Sequence, residues 1–158
     1  MEKSLNALSA MQRICSVREC CRSEILNKLK RYSLTLEEVD EIIKSLEEDK
    51  FFDHNRYAQS FVRDKSSLSG WGPAKIRWSL RSKAIEDEII ESAMSTITPL
   101  QREEKLNSIL ERKLPTLKKE DREKMRAKLI RFALSRGFEY EKVLSAVNRL
   151  LANFAAID

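Results

Sequence analysis

The sequence predicts an all-α protein built as three tandem three-helix repeats in an elongated, curved array, and three observations carry that expectation. Gly and Pro contribute only three residues each, too few for a fold rich in hairpins, while apolar residues make up 42% of the 158 and charged residues 35%. A helical apolar stripe, Val39, Ile42, Ile43 and Leu46, returns 51 residues later as Ile90, Ala93, Met94 and Ile97, and 104 residues later as Val143, Ala146, Val147 and Leu150. The helix before each stripe recurs at the same offsets.

Each repeat opens on a helix with an i, i+3, i+4 apolar triplet: Ala7, Ala10 and Met11, then Ala58, Phe61 and Val62, then Leu106, Ile109 and Leu110. A second helix follows, with Ile25 and Leu29 matched by Ile76 and Leu80 and by Leu129 and Ala133. The turn into the third helix keeps an apolar residue at Leu34, Ile85 and Phe138. Thr35 and Glu38 form a capping box at the first of these third helices. The repeats are therefore drawn as residues 1–50, 51–98 and 99–158. Helices this short cannot bury a stripe alone, so they close into clusters or stack on neighbours. "ERKLPTLKKED", with Pro115, reads as a longer, exposed connection in the third repeat, and the tail "ANFAAID" as the end of the last helix.

The second helix of the second repeat lies within "GWGPAKIRWSLRSK". Pro73 suits the first helical position, where its missing N–H is no loss. Ile76 and Leu80 belong to the core stripe, whereas Trp78 sits about 200° from Ile76 and aligns with Asn27 and Arg131. Trp78 is thus expected to point outward, either as part of a binding surface or to pack on an adjacent repeat. Trp71 precedes the helix and is placed to staple its start.

Charge follows the same period. Residues 70–83 hold Lys75, Arg77, Arg81 and Lys83 with no acid, and residues 126–136 hold Arg126, Lys128, Arg131 and Arg136 with no acid. Residues 22–31 carry four bases against Glu24, whereas residues 37–49 carry seven acids against Lys44. Carboxylates at helix starts are accounted for by the helix dipole, but whole helices without acids are not. A basic ridge repeated along an array suits a long polyanion or an acidic groove. The candidate contacts are Arg22, Lys75, Arg77, Trp78, Arg81, Lys83, Arg126, Lys128 and Arg131.

Other classes are disfavoured. The chain has one His, no Gly-rich phosphate loop and no nucleophile motif, so no catalytic residue and no cofactor is assigned. Cys15, Cys20 and Cys21 are odd in number and lack a CxxC pair; they read as packing cysteines of a reducing cytoplasm, not as metal ligands. No apolar signal core or membrane span can be drawn, so a soluble, cytoplasmic protein is expected. Such a stack needs no partner to close its core, which favours a monomer. Arg22, Lys75 and Arg126 stand near helix starts but do not make a base-reading set, so direct DNA contact, if any, is non-specific.

"FFDHNRYAQSFV" (Asp53, Tyr57, Ala58), "GWGPAKIRWSLRSKAI" and "RFALSRGFEYEKVLSAV", in this order and spacing, resemble the RecX family over nearly the whole chain. That resemblance implies three three-helix repeats that bind the RecA recombinase filament on single-stranded DNA and restrain its ATPase and strand exchange, in homologous recombination and the SOS response. The alternative is a stand-alone, basic, non-sequence-specific DNA-binding module. Asp53 reads as an N-cap, with Tyr57 and Ala58 facing the junction between repeats. Gly137 followed by Phe138 reads as a C-cap. Ser33 and Ala84 stand where many members have that Gly, and because a left-handed corner strains Ala, those two turns are expected to differ.

Overall fold

The computed structural model describes residues 1–157, with side chains through Phe154. Among the described residues there are nine α-helices and no strand: α1 (Glu2–Val17), α2 (Arg22–Leu29), α3 (Leu36–Glu48), α4 (His54–Ser67), α5 (Pro73–Ser82), α6 (Asp87–Met94), α7 (Pro99–Lys113), α8 (Arg122–Ser135) and α9 (Tyr140–Ile157). They fall three to a repeat, and α9 continues into the tail as far as Ile157. By their internal contacts the residues form two compact units, Met1–Phe61 with Leu80–Ala93 and Val62–Ser79 with Met94–Asp158. The division runs through α4 and α5, the first two helices of the middle repeat.

In the first unit, Ala7 and Met11 of α1, Ile25 and Leu29 of α2, and Ile42 and Leu46 of α3 close one core with Cys20 and Phe52. The capping box forms as the sequence requires: Glu38 N–H donates to Thr35 Oγ1 at 3.1 Å and Thr35 N–H to Glu38 Oε1 at 2.9 Å. These backbone and side-chain bonds to Thr35 hold the Glu38 carboxyl below its usual range. The loss of a cap of this kind costs about 1 kcal/mol.

The corners correct one expectation. Ser33 (φ 52°) and Ala84 (φ 60°) are left-handed just as Gly137 (φ 96°) is, so the turns are kept without glycine. Ala84 N–H bonds to the Arg81 carbonyl at 2.9 Å and Ile85 N–H to the Leu80 carbonyl at 3.2 Å. Gly137 and Phe138 make the same pair of bonds, to Leu134 and Ala133. Two satisfied carbonyls and a buried Ile85 or Phe138 fix the turn, against a left-handed strain of roughly 1–2 kcal/mol at Ala84.

In the second unit, Leu106, Ile109 and Leu110 of α7, Met125, Leu129 and Ala133 of α8, and Val143, Ala146 and Val147 of α9 share one core. Thr98 caps α7, accepting from Gln101 N–H at 3.1 Å, with Pro99 at the first helical position. The segment after α7 is more anchored than its composition suggests. Pro115 is exposed, but Leu114–Leu117 form a 3₁₀ turn whose two leucines are buried in the core.

Candidate nucleic-acid interface

The start of α5 is fixed by backbone. Gly72 N–H donates to the Arg136 carbonyl at 2.6 Å and Ala74 N–H to the Gly137 carbonyl at 3.0 Å, so amides left open at a helix N-terminus are closed by the α8–α9 corner. Neither glycine has room for a side chain. A Cβ on Gly72 would lie 2.5 Å from the Gly137 carbonyl carbon, and one on Gly137 would lie 2.5 Å from Lys75 N. The register of α5 is thereby set, with Ile76 and Leu80 buried and Trp78 71% exposed. Most of Trp78 meets solvent, as its place on the helix requires.

The two tryptophans differ. Trp71 is half-buried, with Lys65 Nζ 4.6 Å and Lys75 Nζ 4.5 Å from its ring centre, an arrangement that favours both cations. Trp78 makes no ring or cation contact with any other described residue. Lys75, Trp78 and Arg81 recur at i, i+3 and i+6 along one face of α5. Arg81 Nε bonds Asp87 Oδ1 at 3.1 Å in an exposed pair, Lys83 is half-buried at the helix end, and Arg77 is half-buried and engaged within the protein.

Helix α8 carries cations at the first two positions of that face, with Leu134 in place of Arg81. The counterparts of Lys75 and Trp78 are Lys128 and Arg131, both exposed. Lys128 pairs with Glu120 at 2.5 Å, Arg126 Nε donates to Asn148 Oδ1 at 3.0 Å, and Arg131 has no partner among the described residues. In the first repeat the same positions are Glu24 and Asn27, which are not cationic. Arg22 is turned to the protein instead. Its guanidinium meets Glu47 at 2.5 Å and lies 5.9 Å from the centre of the Phe52 ring. The nine residues expected at the surface thus lie on α2, on α5 and the residue after it, and on α8, with Arg22 in an exposed pair with Glu47.

His54 and Glu86 are positions that charge patterning did not single out. The Arg22 backbone N–H donates to His54 Nε2 at 3.1 Å, so Nε2 is an acceptor and the ring proton lies on Nδ1, 2.9 Å from Glu86 Oε2. Burial raises the Glu86 carboxyl, but the hydrogen bonds from His54 and from its own amide outweigh it and leave the group below its usual range. Ser23 Oγ donates to the Lys83 carbonyl at 2.9 Å. Asp53 caps α4, its Oδ1 accepting from Asn55 N–H (2.8 Å) and Arg56 N–H (3.1 Å). Tyr57 is buried beside Glu24 and Cys21 of the first repeat; burial and the Glu24 charge push its hydroxyl well above the usual tyrosine range. Cys15 is half-buried, and its burial beside Cys20 pushes its thiol up to about 12, which keeps it protonated. Among the described residues no group of His, Cys, Asp and Glu is placed to hold a metal ion. No described helix is long and apolar enough to cross a membrane.

The described residues form a protein of short helices in three-helix repeats, with Lys and Arg clustered on α5 and along α8. Residues 53–94 match the family model for the second three-helix domain of RecX, and residues 101–147 that for the third. The chain is 31% identical over 137 residues to regulatory protein RecX of Prosthecochloris aestuarii, covering 87% of this chain and 88% of the relative. It is 33% identical over 168 residues to regulatory protein RecX of Clostridium botulinum, covering 99% and 78%. A crystal structure of regulatory protein RecX superposes with a TM-score of 0.84 at 25% identity, over 93% of this chain and 73% of that one. The chain belongs to the RecX family of regulatory proteins.

Proposed function

We propose that this protein binds the RecA filament on single-stranded DNA and restrains its ATPase and strand exchange, in homologous recombination and the SOS response. The observation that carries the reading is the recurrence of cations at matching positions, half-buried Lys75 beside exposed Trp78 on α5 and exposed Lys128 and Arg131 on α8, in a chain whose relatives are regulatory proteins. Cations set along successive repeats suit a polyanion that extends past more than one of them. The repeats 1–50, 51–98 and 99–158 act as the modules of this surface, in a cytoplasmic monomer that needs no cofactor and performs no chemistry of its own.

The test is a pair of affinities at one salt concentration: for a RecA filament on a single strand, and for the same strand naked. The filament is expected to bind tighter by at least about tenfold, a difference of roughly 1.4 kcal/mol. Equal affinities would overturn the filament reading in favour of a plain DNA-binding module.

A further inference from the structure

We infer that Trp78 is a stacking platform for a nucleobase of single-stranded DNA, with the cations of α5 holding the phosphates on either side. The inference rests on the reading of α5 as a contact surface and adds what that surface touches. A base needs an aromatic face that water alone covers, and Trp78 provides one: it is 71% exposed and contacts no other ring or cation among the described residues. Trp71 does not, because two ammonium groups already lie within 4.6 Å of its ring centre.

The charges around Trp78 favour a nucleic acid over an apolar partner. Lys75 lies one turn before it, its ammonium 4.5 Å from the Trp71 ring centre and free to exchange that contact for a phosphate, Arg81 lies one turn after, and residues 70–83 contain no carboxylate. Six residues of α-helix span about 9 Å, a spacing that lets a strand place a phosphate near each cation while a base covers the indole between them. Arg81 is held only by an exposed pair with Asp87, which is readily exchanged for a phosphate. Stacking on an indole is tolerant of sequence, because every base has a flat face, so the site requires single-strandedness and not a motif.

The experiment titrates the full-length protein with a thymidine oligomer longer than about 16 nucleotides and with an abasic strand of equal length, reading tryptophan emission and fluorescence anisotropy. Emission is expected to fall with thymidine and not with the abasic strand, and Trp78→Phe, which leaves Trp71 as the only tryptophan, is expected to remove the change. Trp78→Ala should weaken thymidine binding by about five- to a hundredfold, leave abasic binding unaltered, and be largely rescued in Trp78→Phe. Absence of oligomer binding, an unweakened Trp78→Ala, or an equal loss on both strands would overturn the inference. So would a Trp78→Ala that loses only filament binding, since the indole would then touch protein. An unaltered filament ATPase on addition of the natural protein would instead count against the filament reading alone.

Discussion

Two joints between repeats bring the same parts together with different chemistry. At the first, the start of α2 meets the middle repeat through side chains: Ser23 Oγ on the Lys83 carbonyl, His54 Nε2 under the Arg22 amide, and Tyr57 beside Glu24. At the second, the start of α5 meets the α8–α9 corner through backbone hydrogen bonds, Gly72 N–H on the Arg136 carbonyl and Ala74 N–H on that of Gly137. A side-chain joint can relax when one member changes, whereas a backbone joint closed over two glycines has no atom to give. The second joint also sets the register that turns Trp78 outward, so its rigidity bears on the surface proposed to bind.

The sharpest way to break the comparison is Gly137→Ala. The new Cβ would meet Lys75 N at 2.5 Å and force φ 96° on a residue with a side chain. A loss of at least about 3 kcal/mol is expected, seen as a fall of roughly 10 °C in the thermal transition followed by circular dichroism. At the side-chain joint, His54→Ala removes the acceptor of the Arg22 amide and the partner of Glu86 together, and about 2 kcal/mol should be lost in chemical denaturation. The two joints would not differ in kind if His54→Ala cost more than Gly137→Ala.

A pH series sharpens the same contrast. The Tyr57 hydroxyl is raised above its ordinary 10.0 by burial and by Glu24, so folding holds a proton that the unfolded chain releases. Its contribution is complete below pH 10 and declines as pH climbs toward the folded value. Tyr57→Phe should therefore be less stable than the natural protein at pH 8, with the gap narrowing above pH 10; a constant gap in thermal unfolding across pH 8–11 would refute the assignment. The smallest effect concerns the corner that lacks glycine. Ala84→Gly should raise stability by up to about 1 kcal/mol, because strain relief exceeds the added freedom of the unfolded chain. A loss in equilibrium denaturation would show the corner to be unstrained.

The repeat, the core stripes, the Thr35 and Asp53 caps and the outward turn of Trp78 were legible in the sequence, because each depends on local periodicity or on a side chain bonding within three residues. The left-handed form of Ser33 and Ala84 was not: glycine preference argues against it, and the apolar anchor at the next position outweighs that preference. The bonding of His54 was not legible, because its partners lie 32 residues away on either side, at Arg22 and Glu86, and only tertiary packing brings them together. The charge pattern found the cationic helices without sorting their members. Arg22 pairs with Glu47 and lies beside the Phe52 ring, whereas Arg131 is open to solvent.

The most direct test of the regulatory reading is the DNA-dependent ATPase rate of the cognate RecA, preassembled on single-stranded DNA, as this protein is added in substoichiometric amounts. The rate is expected to fall well before one protein is present per RecA subunit. An unchanged rate, with the protein folded and the filament intact, would contradict it and leave a helical nucleic-acid-binding module.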